Sequence, residues 1–95
     1  MTQLTEHFSK TIVVNTTNFS QYFTHPWSIP ALYVCIHSDQ DVLVRFDSSS
    51  DSAGNKTHRI RAGQTKCFPL TVYTVYLAKE NATDPDATVD IDMLS

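Results

Sequence analysis

Between Leu32 and Leu94 apolar side chains return at every second position, in runs broken at short intervals by Ser, Asp, Gly, Asn or Pro. A period of two is the period of a strand with one buried face, and it rules out helices as the main element of this region. Residues 32–36 (LYVCI) read as a strand, residues 38–40 (SDQ) as a tight turn, and residues 41–46 as the second arm of a hairpin. In that second arm Val42, Val44 and Phe46 share one face. Residues 58–62 put Ile60 inward and Arg59 and Arg61 outward, and Gly63 supplies a positive φ for the next turn. Residues 65–70 run into 71–78, where Val72, Thr74 and Tyr76 face one way and Tyr73, Val75 and Leu77 the other. After a loop over 79–87, the last strand alternates Val89, Ile91 and Met93 with Asp90 and Asp92.

The beginning of the chain is less regular. Residues 10–16 (KTIVVNT) are a plausible strand, whereas residues 18–31 gather Phe19, Tyr22, Phe23 and Trp27 beside Pro26 and Pro30. The spacing of Phe19, Tyr22 and Phe23 suits one turn of helix, and the residues before both prolines should be extended. With 95 residues and two glycines in all, the expectation is one all-β domain, an antiparallel β-sandwich or jelly-roll-like fold. Residues 1–31 form its N-terminal arm, with a first strand and the aromatic segment, and residues 32–95 its core.

Charge narrows the partners. Seven basic against ten acidic residues give a net charge of -3. Binding to nucleic acid needs a positive footprint, so nucleic acid is not expected as the principal partner. The local group Lys56, Arg59, Arg61 and Lys66 reads as a solvated strand face. No apolar run is long enough to span a bilayer, and "TQLTEHFSK" after Met1 has neither a basic start nor an apolar stretch. A membrane partner is therefore not expected either. Cys35 and Cys67 stand in separate apolar segments without a CxxC spacing, and two cysteines cannot build a four-ligand zinc site. They are read as buried free thiols, with a single disulfide as the alternative.

"DSSSDSAGNKTH" over residues 47–58 offers oxygens at Asp47, Ser49, Asp51 and Asn55. An EF-hand loop wants Asp or Asn at its third position, glycine at its sixth and a bidentate Glu at its twelfth. Ser49, Ser52 and His58 stand there, so the stretch is expected to be a hairpin tip. Asp84, Asp86, Asp90 and Asp92 could hold a hard cation, but Asp90 and Asp92 read as a solvated strand edge. His7, His25, His37 and His58 show no HxH or HExxH spacing, and GxSxG, GxGxxG and P-loop motifs do not occur. A triad could still assemble from distant residues, since such sites are defined by geometry. No catalytic residue, metal ligand or cofactor is assigned, and no enzymatic activity is expected.

Two patterns remain. All four asparagines, Asn15, Asn18, Asn55 and Asn81, begin N-x-S/T triplets, which are glycan acceptors only in a secreted eukaryotic protein. The aromatic group could stack a sugar, but large aromatics in so small a domain are read first as core or intersubunit packing. Phe19, Tyr22, Phe23 and Trp27 are therefore the candidate interface residues.

The segments "DVLVRFD", "HRIRAGQTKCFPL", "VYTVYLA" and "DATVDID", with the polar tip between the first two, resemble the small β-sandwich virion proteins of tailed bacteriophages. These are capsid decoration (cement) proteins and neck or tail accessory proteins. Residues 32–94 carry the likeness, which is one of strands and turns and transfers no site. It implies a non-enzymatic structural protein of the virion, assembled in the host cytoplasm. Its partners would be the major capsid protein or other virion proteins, and further copies of itself in a homo-oligomer. The competing expectation is a carbohydrate- or receptor-binding sandwich.

Overall fold

The fold comes from a computed structural model that describes residues 7–24, 31–46, 57–69 and 71–94. Among these residues there are eight strands: β1 (His7–Val14), β2 (Gln21–Thr24), β3 (Tyr33–Ser38), β4 (Val42–Phe46), β5 (His58–Ile60), β6 (Thr65–Phe68), β7 (Thr74–Lys79) and β8 (Ala87–Leu94). They form two antiparallel four-stranded sheets, in the orders β1-β8-β3-β6 and β2-β7-β4-β5. The chain changes sheet at most of its connections, as a jelly-roll sandwich requires. The all-β expectation is met.

The alternation seen in the sequence becomes the core. Val34, Ile36, Val89, Ile91 and Met93 project from the first sheet onto Val42, Val44, Ile60, Val75 and Leu77 from the second, all of them buried. Burying a branched side chain of this kind contributes about 1.5–3 kcal/mol against exposure, so this double layer holds the sheets together. Ile12, Phe23, Phe46 and Phe68 pack against its rim.

Several local expectations are corrected. β3 and β4 are not a hairpin: β3 pairs with β6 and β8, whereas β4 pairs with β5 and β7. The turn at 38–40 instead carries the chain from one sheet to the other. Buried Ser38 holds that corner by donating from Oγ to the Gln40 carbonyl at 2.5 Å, while the Asp39 amide reaches the Thr88 carbonyl. Residues 65–78 are likewise two strands in different sheets. Pro69, which has no N–H to give to a ladder, follows β6 directly. Val72 bridges Ala31, and a bend at Tyr73 brings both Val72 and Val75 inward. Tyr73 is left 47% exposed rather than sharing a face with Val75 and Leu77.

The helical turn expected at Phe19–Phe23 is also absent, because Gln21–Thr24 pairs with β7 as a strand. Pairing along a whole strand outweighs a three-residue spacing pattern. The long hairpin between β4 and β5 is present, with Val42 opposite Ile60 and Val44 opposite His58. Its tip at residues 47–56 lies outside the described residues.

Candidate functional site

Each sheet turns one face outward, and cross-strand register decides which side chains meet there. On the first sheet one row reads Ser9, Asp92, Cys35, Cys67, and the next Thr11, Asp90, His37, Thr65. Cys35 and Cys67 are directly opposite and form a disulfide with Cα atoms 4.0 Å apart. The expectation of buried free thiols is therefore corrected on both counts: the cysteines are bonded, and they lie on the outward face, Cys67 exposed and Cys35 half-buried. Their alternation with Val34, Ile36 and Phe68 is what turns them outward.

The same face brings Ser, His and Asp together. Ser9 donates to Asp92 Oδ1 at 2.5 Å, and His7 Nε2 lies 3.2 Å from Ser9 Oγ and 3.3 Å from Asp92 Oδ1. A nucleophilic triad needs the acid on one ring nitrogen and the serine on the other, so that the imidazole can accept the serine proton. Here both partners crowd Nε2, and the serine proton already points at the carboxylate. The cluster is an exposed hydrogen-bonded patch that ties β1 to β8, not an acid–base relay. Thr11 repeats the tie one row on, donating to Asp90 at 2.7 Å, and His37 Nδ1 meets Thr65 Oγ1 at 2.9 Å.

The acidic set predicted as a possible cation site is divided between two places. Asp90 and Asp92 do face outward, but β8 is an interior strand between β1 and β3, so they are not edge residues. Asp84 accepts from the Asn81 amide, and Asp86 meets the Lys79 ammonium at 2.7 Å. Among the described residues no group of three His, Cys, Asp or Glu side chains converges on one point.

On the second sheet a row crosses three strands: Tyr22 on β2, Tyr76 on β7 and Arg45 on β4. The rings of Tyr22 and Tyr76 are 5.4 Å apart, the Arg45 guanidinium lies 4.2 Å over the ring of Phe19, and its Nε donates to Thr57 at 2.8 Å. Two of the four candidate interface residues, Phe19 and Tyr22, are thus brought to one outward patch. Phe23 alternates to the other side and stacks on Phe8 at 5.3 Å, as part of the core's rim. Trp27 lies outside the described residues. Tyr76 and Arg45 were missed from the sequence, since only the β2–β7–β4 register places them beside Tyr22.

Further along the same face the arginines are held within the domain. Arg59 pairs with Glu80, and Arg61 donates to Asp41 at 3.3 Å. Lys66 reaches across to the Arg59 carbonyl at 2.8 Å, joining β6 to β5 at the edge of the sandwich. The Asp41 carboxylate accepts the Ala62 amide at 2.8 Å. That bond holds its pKa below the ordinary 3.8; partial burial opposes it, and Arg61 and Arg59 add to the lowering.

No family model matches the chain, and no curated protein matches it. Among solved structures it is similar to hydroxypropylphosphonic acid epoxidase from S. wedmorenis in complex with fosfomycin, with a TM-score of 0.57 and 14% identity over 90% of this chain. A second similar structure is FeII HppE, with a TM-score of 0.56 and 8% identity over 92% of this chain. The chain spans about two fifths of the length of these proteins, 41% and 42%. At such identity the likeness is one of fold alone.

Proposed function

We propose that this chain is a non-enzymatic structural protein that works by its surfaces. In the reading preferred here it is an accessory protein of a phage virion, bound in multiple copies outside the capsid as a decoration protein; a neck or tail component comes next. The observation that carries the interaction role is the row Tyr22, Tyr76 and Arg45, with Phe19 beneath Arg45, on the outward face of the second sheet. Tyr and Arg anchor protein interfaces, because they combine a large contact area with a polar end. Among the described residues, the side chains buried between the sheets are apolar, apart from Ser38 and Lys79 at the margins. The virion assignment is supported by the strand and turn likeness of residues 32–94 to small virion sandwiches. A small sandwich also gains stability from surface buried on a lattice.

A second reading, a carbohydrate- or receptor-binding module of an oxidising compartment, is favoured by the Cys35–Cys67 disulfide. The exposure of Asn15, Asn18 and Asn81 at the head of their N-x-S/T triplets suits the same reading. The two separate by peptide mass spectrometry on purified phage particles from the source. Peptides of this chain at a fixed ratio to the major capsid protein support the virion, whereas their absence together with a mass loss on glycosidase treatment of native protein supports the second reading. Within the virion reading, Tyr22→Ala and Trp27→Ala should each weaken binding to undecorated heads by about tenfold or more and leave the thermal midpoint nearly unchanged.

A further inference from the structure

β1 is an edge strand of the first sheet, and among the described residues its one strand partner is β8. In an antiparallel ladder the N–H and C=O of one residue point to the same side, and successive residues point to opposite sides. Two bonds fix which side is which. The carboxamide of Gln21 donates to the Val13 carbonyl and accepts from the Asn15 amide, both at 2.8 Å. Odd-numbered residues of β1 therefore aim their backbone away from β8. The other flank of β8 agrees, since the carbonyls of Thr88 and Leu94 accept from Asp39 and Leu32 on the β3 side. Its odd-numbered residues are left to face Phe8, Lys10, Ile12 and Val14 in the observed register.

Gln21 thus fills one slot of the edge as a paired strand residue would, with one donor and one acceptor. The backbone of His7, Ser9 and Thr11 beyond it accepts and donates nothing among the described residues on that side. A strand edge closed at one end by a side chain is a template with one fixed end. We propose that this edge is a homodimer interface, in which β1 pairs antiparallel with β1 of a second copy about a two-fold axis at Ser9.

The occupant follows from the register. Centring on Ser9 sets His7 against the second copy's Thr11, uses the three residues of each chain that are open among the described ones, and stops where the Gln21 plug begins. It also sets Lys10 directly across from the second copy's Phe8. Lys10 is exposed although its position alternates with Phe8 and Ile12 on the inward side, and among the described residues it has no hydrogen-bond or ion-pair partner. A cation beside an aromatic ring, repeated twice by the symmetry, gives that lysine a use specific to a second copy. The proposal deepens the multiple-copy part of the function above, resting on it only for the presence of more than one copy.

The test is light scattering of the full chain over a wide concentration range. Ser9→Pro removes one outward N–H and projects its ring toward the incoming strand, while the β8 ladder uses neither group. It should weaken dimerisation by at least about tenfold. Ser9→Ala, which loses the hydroxyl's contacts with Asp92 and His7 but keeps the backbone N–H, should dimerise like the wild type. Amide exchange gives a reading independent of any variant: in the wild type the amides of Ser9 and Thr11 should gain protection as concentration rises, while those of Lys10 and Ile12 are protected throughout. A monomeric wild type at about millimolar concentration, typical of weak association, overturns the proposal. An oligomer indifferent to Ser9→Pro, or one without concentration-dependent protection at Ser9 and Thr11, overturns it equally. Presence in virions with unchanged Ser9→Pro assembly would sink the interface and spare the function; loss of the dimer in a protein absent from virions would do the reverse.

Discussion

Cys35 on β3 and Cys67 on β6 are cross-strand partners in one register pair, and the disulfide between them staples the four-residue edge strand β6 to the sheet. β6 contributes only Phe68 to the packing around the core, so the bond supplies an attachment that burial does not. Closing a loop with a sequence separation of 32 stabilises by roughly 3–4 kcal/mol on the chain-entropy model. Urea denaturation with and without a dithiol reductant should show a loss of that order. The slope should rise on reduction, because the reduced unfolded chain exposes more surface. Equal midpoints would show that β6 is held by its ladder alone.

Gly63 has φ +78, and its amide donates to the Ser38 carbonyl at 2.8 Å. A Cβ there would meet no atom within 4 Å, so the cost of a side chain is conformational. Gly63→Ala should destabilise by about 1 kcal/mol and Gly63→Asn by less, since asparagine tolerates the left-handed region. Thermal midpoints of the two variants check the order.

The sequence makes inward and outward faces plain and sheet membership obscure, and the reason is physical. Alternation such as Val89-Asp90-Ile91-Asp92-Met93 records only that one side of a strand is dry. It is the same whether the next strand lies beside it or across the core, which is why residues 32–46 read as a hairpin although β3 and β4 belong to opposite sheets. The disulfide was hidden for a related cause: Cys35 and Cys67 meet only once β3 and β6 are paired in one particular register. The same holds for Tyr22, Tyr76 and Arg45, which are remote in sequence and adjacent on the sheet. Phe19 and Tyr22 stand out in the sequence only as large aromatics in an irregular segment, a composition that suits core packing and an interface alike. The i, i+3, i+4 spacing of Phe19, Tyr22 and Phe23 imitates a helical turn and hides the strand parity that sets Phe23 on the opposite side of β2 from Tyr22.

Asp41 keeps its charge to lower pH than an ordinary aspartate, chiefly through the Ala62 amide and then through Arg61. A carboxylate whose folded pKa lies below its unfolded value contributes stability that is fully present above the unfolded value of 3.8. That contribution is lost as pH falls through the folded pKa. Wild type and Asp41→Asn should therefore differ most above pH 4 and converge in stronger acid. Paired urea titrations across that range check the sign; a gap that widens below pH 4 would contradict the assignment.

Lys79 ends β7 on the inward side, with its side chain only 8% exposed. Its ammonium donates to the Asp84 carbonyl at 2.8 Å and meets the Asp86 carboxylate at 2.7 Å. The two contacts differ in worth, because Asp86 is 58% exposed and water can replace its partner, so Asp86→Asn should cost less than about 1 kcal/mol. Lys79→Met keeps the apolar stem and removes the donor from the carbonyl, a loss of about 1–2 kcal/mol. Lys79→Ala also removes buried methylenes, adding about 2 kcal/mol more. The backbone amide of Lys79 donates to the Thr16 carbonyl at 2.7 Å, and none of these variants touches that bond. Amide exchange should accordingly show the Lys79 amide still protected in Lys79→Met while the 80–86 loop opens. If its protection fell with the loop, the ammonium rather than the backbone would be what ties the β1–β2 connection to β7.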